Sequence, residues 1–245
     1  MQQVGLSAER YEEFLRCLGI LKDICNDVDI QEGVARQRTN DKATVFEIML
    51  TSILDDLSIP LINLKQKLDL LKIFSEQEVE ITVEDDGSFS FSDQYSTLHF
   101  DGPDLDFMDN KFLTDEELDS IFVLNEEDMI LNTELSTTIS ERMRVIAQGF
   151  SVNTTQVVFD GETASMTMQT QSKEQTAKII SDIMAERVMN CTSSLVNTPF
   201  IIDHDGDIIF KMYNFQDNVC SNKCSTTIGD IDINIYSRSA LTEVE

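Results

Sequence analysis

The sequence is short of the residues that break or simplify a chain. Three prolines and nine glycines in 245 residues exclude a collagen-like repeat and a proline- or glycine-rich disordered chain. No apolar run approaches the length of a membrane-spanning helix. The first residues, MQQVGLSAER, lack the apolar core of a secretory leader. A cytoplasmic protein with no membrane contact is expected. Cysteine is scarce and odd in number: Cys17, Cys25, Cys191, Cys220 and Cys224. Only Cys220 and Cys224 are close in sequence, with no histidine beside them. A zinc site needs four thiolate or imidazole ligands, so reduced thiols are the better reading. The two histidines are equally uninformative. His99 has no acid–base partner next to it. His204 lies in Asp203-His204-Asp205-Gly206-Asp207, which lacks the spacing and terminal glutamate of a calcium loop and reads as an aspartate-rich turn. There is no phosphate-binding glycine loop, nucleophile elbow or dinucleotide fingerprint. With no catalytic constellation, and no cofactor or metal implied, a binding protein is expected rather than an enzyme.

Positive charge is also scarce. Eighteen Lys and Arg face 45 Asp and Glu, a net charge of −27. That balance alone argues against nucleic-acid binding. Its distribution points the other way. The three clearest helical patterns, residues 7–22, 63–74 and 136–148, hold eight cations, Arg10, Arg16, Lys22, Lys65, Lys67, Lys72, Arg142 and Arg144. They hold five acids, so these helices carry +3 and the rest of the chain −30. The bland alternative is that helices tolerate long charged side chains better than strands do.

What the chain has in quantity is apolar surface, 41% of its residues, enough for one large core or two of about 120 residues each. Two stretches organise it. Leu57 to Phe100 reads as a short strand, a lysine-bearing helix and a hairpin; Ser136 to Gln171 repeats the logic with arginines. In the first helix, Ser7 is a cap, and Tyr11, Phe14, Leu15 and Leu18 form the buried stripe. Two strand-like runs flank a turn at Asn40-Asp41-Lys42. Asn63 is a candidate cap for the second helix, whose inward stripe is Leu64, Leu68 and Leu71. Lys65 and Lys72, seven residues apart, share a face, while Lys67 falls toward the apolar side and can snorkel. Asp85-Asp86-Gly87 turns a hairpin whose second arm is SFSFSD, and residues 96–100 are a further strand. Ile139, Met143 and Ile146 are the stripe of the third helix, with Gly149 as its stop. Asp160-Gly161 turns the next hairpin. Residues 172–188 fit either a helix or a two-sided strand, and 189–197 could hold a short helix. A turn at Asp205-Gly206 and a strand follow, then a last strand, IDINIYSR, and an acidic tail. Between the two stretches, residues 101–128 hold eleven acids and one base, Lys111. This is the candidate inter-domain connection. The division expected is 1–105, a connection at 106–131, and 132–245.

The order and spacing of these passages resemble the DNA sliding clamps, most closely the processivity clamp of T-even-type bacteriophages. Three passages carry the resemblance. Tyr11 to Gly19 with GVARQRTNDKATVFEIML is similar to that family's first helix and hairpin. Asn63 to Phe74 with EVEITVEDDGSFSFSDQYSTLHF is similar to its second. Arg144-Val145-Ile146-Ala147-Gln148-Gly149-Phe150 with TTQVVFDGETASMTMQ is similar to its third. Together they span most of residues 8–171. The resemblance implies an α+β fold, two similar domains each with two helices packed on antiparallel sheets. It implies a homotrimeric ring around double-stranded DNA, tethering a DNA polymerase and opened by a clamp loader, in the host cell cytoplasm if viral. The eight helix cations would face the channel and meet phosphates without reading bases. The family's fourth helix would fall near Thr192–Asn197, a stretch without a basic residue. Partner peptides would dock near the connection, with Phe107, Met108, Phe112, Phe200 and Ile201 as candidate contacts. The alternative from another class is an acidic structural or assembly protein, such as a DNA mimic that binds a DNA-associated partner through the acids of 101–128.

Overall fold

The computed structural model describes residues 1–39, 44–102, 112–122, 124–150, 154–159, 164–169, 176–183, 191–196, 202, 204–216 and 218–243. The chain divides into two compact units. The first holds Met1–Leu113 and Ile228–Ile233; the second holds Thr114–Thr227 and Asn234–Glu245.

In the first unit β1 (Gln2–Leu6) leads into α1 (Ala8–Ile24). Ser7 caps the helix as its sequence predicts, accepting from the Arg10 amide at 3.3 Å. Then come β2 (Val28–Gln31), β3 (Val34–Arg38), β4 (Thr44–Met49), the single turn α2 (Thr51–Leu54), β5 (Ile59–Leu61), α3 (Leu64–Leu71), β6 (Val79–Val83), β7 (Phe89–Ser92) and β8 (Thr97–Phe100). The strands form two antiparallel arrays, β1-β6-β7-β8 and β5-β2-β3-β4. The run expected as one strand before Asn40 is two, because Glu32 and Gly33 both take positive φ (49° and 71°) and fold β3 back on β2. A side chain at Gly33 would strike the Asp55 carbonyl, so space as well as φ requires glycine there. The expected turn at 40–42 lies outside the described residues.

The helices α1 and α3 pack against each other, and an aromatic cluster fastens them to β7 and β8. Phe14 stacks on Phe91 at 6.2 Å, Phe89 on Phe100 at 5.2 Å, and Tyr11 meets Phe74 edge-on at 6.3 Å. Each such pair is worth about 0.5–1.5 kcal/mol beyond area burial. The buried Tyr11 hydroxyl donates to the Leu71 carbonyl at 2.9 Å, which satisfies it and ties α1 to the end of α3. Asn63 precedes α3 but does not cap it. It is left-handed (φ 55°, ψ 53°) and its side chain accepts no helix amide. The Leu64 amide donates instead to the Asn26 carbonyl at 2.7 Å, and the Asn63 amide to Asp27 Oδ1 at 3.0 Å.

The second unit opens on α4 (Asp115–Ile121), inside the acidic run. Thr114 and Glu117 form a reciprocal capping box, and three acids occupy the first turn, where the helix dipole favours them. Leu118 is its buried anchor. Next are β9 (Met129–Leu135), α5 (Thr137–Phe150), β10 (Thr154–Phe159), β11 (Ala164–Gln169), β12 (Thr176–Ile183), β13 (Cys191–Val196), β14 (Ile208–Gln216), β15 (Val219–Ile228) and β16 (Ile231–Glu243). Gly149 does not stop α5, which runs through Phe150. The ambiguous stretch is strand β12, paired on β11. Near Thr192–Asn197, where the resemblance places the fourth helix, Cys191–Val196 is strand β13, which bridges β10 and the end of β16. The last strand runs to Glu243, well into the expected tail.

The two units share one topology. The array β9-β14-β15-β16 is built like β1-β6-β7-β8, and β13-β10-β11-β12 like β5-β2-β3-β4. In this register α5 follows the first strand of its unit, so its counterpart is α1. The sequence paired it with α3. The stretch that corresponds to α3 in chain order lies between β13 and β14, where only residue 202 and residues 204–207 are described.

Candidate nucleic-acid interface

The eight predicted cations occupy different environments. On α3, Lys65 is exposed. Lys72, just past the helix end, is exposed with its Nζ 3.2 Å from Asp69 Oδ1. Two turns apart, they share one flank of the helix. Lys67 lies on the other flank, its Nζ 4.6 Å from the centre of the Phe100 ring, and burial pushes its pKa down. Lys67 thus lies toward the apolar side, as its place in the helical period suggests, but its ammonium rests against the Phe100 ring rather than reaching out to water. The outermost face of α3 and the turn after it holds Gln66 and Asp69 with two exposed apolar residues, Leu70 at 42% and Ile73 at 55%.

On α1, Arg10 is bound on both sides. Its guanidinium pairs with Glu13 at 3.0 Å and grips the Asp230 carboxylate with two nitrogens, one at 2.7 Å. These hydrogen bonds raise the Arg10 pKa and hold the Asp230 carboxyl below the usual carboxylate range. Arg10 thereby fastens the turn between β15 and β16 to α1. Lys22 lies 3.3 Å from Asp23. Arg16 is half-buried on the outward face with Glu9, Glu12 and Asp23, so that face is acidic overall.

On α5, Arg142 is exposed and Arg144 pairs with Glu141 at 2.6 Å. Among its described side chains, Ser140 and Met143 are fully buried, and Ile139 and Ile146 are half-buried. The helix start is held by Asp207, whose carboxylate accepts from the Thr137 amide at 2.8 Å. The aspartate-rich turn around His204 therefore has a structural task. Among the described residues no group of three or more His, Cys, Asp or Glu could hold a metal ion, and no helix is long and apolar enough to cross a membrane.

Lys65 and Arg142 are thus the exposed helix cations without an ion pair among the described residues. The pairs of Lys72 and Arg144 join partners that water reaches. Such pairs are worth about 0–1 kcal/mol, so exchanging the carboxylate for a phosphate costs little. Arg10 is different, since its two carboxylates fix a fold contact.

Of the candidate partner contacts, Phe107, Met108, Phe200 and Ile201 lie outside the described residues. Phe112 is half-buried, with its ring 5.5 Å from the Arg36 guanidinium. Arg36 itself is buried beside Glu47, at 2.7 Å through Nε, across the β3–β4 register. Sequence reasoning missed Arg36, Arg238 and Asp207. Each acts on residues 70 or more positions away, and no local pattern marks such contacts.

No protein-family profile matches the sequence, and no curated protein does. Solved structures do match over nearly the whole chain. Proliferating cellular nuclear antigen from Entamoeba histolytica superposes with a TM-score of 0.65 at 13% identity, covering 97% of this chain and 98% of that one. In the PCNA2–PCNA3 complex from Sulfolobus tokodaii the matching chain has a TM-score of 0.67 at 10% identity, with 97% and 99% covered. PCNA from A. fulgidus, solved with the C-terminal region of FEN-1 bound, has a TM-score of 0.66 at 10% identity, with both chains fully covered. The chain has the α+β fold of these sliding clamps.

Proposed function

We propose that the chain is a DNA sliding clamp. Three copies close head to tail into a ring that encircles duplex DNA without reading its sequence. The ring holds a DNA polymerase on its template, and a separate loader opens it. The observation that carries this reading is an asymmetry in the repeat. The start of β16, Ile231–Ile233, belongs to the first unit, where β4 lies beside it. The counterparts of β16 and β4 are β8 and β12, and both are open edges among the described residues. Two different open edges on one chain favour a head-to-tail contact, which closes into a ring when the rotation allows. With two repeats per copy, three copies give six. The whole-length likeness to clamp structures supports the same conclusion. Among those neighbours, one is a complex of two clamp subunits and one carries a FEN-1 segment, which supports assembly with like subunits and with DNA-processing partners.

Lys65, Lys72 and Arg142 are the first candidates to face DNA, with Arg16 and Arg144 beside them; Lys22, Lys67 and Arg10 are secondary. Few and weak phosphate contacts suit sliding, because topology rather than affinity keeps a ring on DNA. Partner peptides would dock near Phe107, Met108 and Phe112 or near Phe200 and Ile201. The finer assignment, a T-even-type phage clamp working in the host cytoplasm, rests on the resemblances within 8–171.

The test is the mass of the protein in solution together with polymerase processivity. A trimer at micromolar concentration is expected. Lys65→Glu with Lys72→Glu should shorten clamp-dependent synthesis several-fold while mass and Tm hold. A persistent monomer sinks the ring, and unchanged synthesis by the double variant removes α3 from the DNA path. Tight binding of a basic partner through residues 101–128 without stimulated synthesis would favour the acidic-mimic alternative.

A further inference from the structure

Within the acidic connection, residues 112–122 are held at each end by an arginine, and the two ends use the same three-part device. At the first end, Arg36 of β3 places its guanidinium over the Phe112 ring, 5.5 Å from its centre. It also donates through Nη1 to the neighbouring Leu113 carbonyl at 3.0 Å. The Leu113 amide in turn donates to the Arg36 carbonyl at 3.4 Å. At the second end, Arg238 of β16 lies over the Phe122 ring at 5.9 Å, and both its Nε, at 3.0 Å, and its Nη2 donate to the neighbouring Ile121 carbonyl. Each arginine thus grips one aromatic ring and the main-chain carbonyl of the residue next to it. Each site has its own backing. Glu47, buried on the neighbouring strand, holds Arg36 at 2.5 Å. Tyr236 packs on Phe122 at 5.7 Å and carries Lys223 over its own face at 5.6 Å. Between the grips, the capping box at Thr114 and Glu117 makes the chain a helix.

We propose that Arg36 and Arg238 are positioning residues that clasp the connection at Phe112–Leu113 and Ile121–Phe122, so that residues 112–122 form a docked strap rather than a free linker. The chemistry demands arginine. Its flat guanidinium stacks and donates at once, and its charge is permanent. A lysine ammonium can neutralise Glu47 but cannot fill both roles. The buried Arg36–Glu47 pair adds a reason for specificity. Removing either partner strands a charge out of water, so the site accepts one arrangement of the strap. The two clasps lie in different units and share no residue, so each should open independently of the other.

Amide hydrogen exchange on the full chain tests this. Phe112→Leu removes one ring and leaves the ion pair intact. It should speed exchange of the Leu113 amide by about fivefold or more while Phe122 and the strands β6 and β7 keep their protection. Phe112→Tyr should restore it. Arg36→Lys should act like Phe112→Leu, and Arg238→Lys should free the end of α4 without touching Leu113. Unchanged exchange at Leu113 in both Phe112→Leu and Arg36→Lys overturns the clasp. So does acceleration spread evenly over the whole first unit, which would mean that these residues only support the general fold.

Discussion

At the scale of single residues, Arg10 best shows how much of a charge's surroundings its neighbours in sequence leave out. It sits on a helix, three positions from Glu13, and reads as a channel cation. Its main partner, Asp230, is 220 positions away. The contact needs Gly229 too. Its φ of 56° is left-handed, and a Cβ there would run into the Glu13 carboxylate. The pair has a pH signature. Hydrogen bonds from Arg10 lower the Asp230 carboxyl below its unfolded value, while Arg10 stays charged throughout. A depressed carboxyl contributes its stability fully above about pH 4 and loses it as pH falls through the lower folded value. Asp230→Asn should therefore lower Tm at neutral pH, and its deficit against the parent should shrink toward about pH 3. A deficit that stays constant down to that pH would show that the charge is not what holds the hairpin. Lys67 was legible, because its place in the helical period put it beside the apolar stripe. Arg10 and Arg36 were not, since their roles depend on long-range register.

At the scale of elements, the helices were legible and part of the strand set was not. Periodicity located α1, α3 and α5 because each buries one stripe on a sheet. It could not decide β12, because in sequence Ile179, Ile180 and Ile183 do not keep to one alternation. It also missed β15, whose buried positions are Cys220, Ser221, Asn222, Cys224, Thr226 and Ile228, a largely polar and sulfur-bearing set that gives no apolar alternation. The buried Asn222 amide finds Ser237 and Ser239 on β16, which no local pattern foretells. The open edge of β8 carries a prediction. The Asp93 amide donates to the Ser96 carbonyl, so the antiparallel ladder of β7 and β8 alternates from there. Leu98 and Phe100 bond inward to β7, and the amides of Thr97 and His99 point outward. His99→Pro removes one outward donor and leaves the β7–β8 bonds standing. It should weaken association of copies at least about tenfold, by loss of a ladder bond and by a ring clash at the edge, with little change in the monomer's Tm. Full-strength assembly by this variant would exclude β8 from the contact between copies.

At the scale of the whole molecule, the net charge of −27 governs everything that happens at a distance. It repels other copies as well as DNA, and the exposed helix cations are too few to reverse the sign. A ring resolves the conflict if short-range strand pairing holds the copies together and closure holds the DNA. Two opposite salt dependences follow. Added salt screens the repulsion between like-charged copies over a Debye length that shrinks from about 20 Å to about 4 Å between 0.02 M and 0.5 M, so assembly should strengthen. Contacts of Lys65, Lys72 and Arg142 with phosphates should weaken over the same range, with a slope set by up to about three released counterions per copy. Sedimentation at both salt levels, with and without a short duplex, separates the two effects. An acidic mimic gives one trend only, loss of its basic partner with salt and no change in its own mass. Assembly that weakens with salt would mean that charge pairs between copies, rather than the open strand edges, join them.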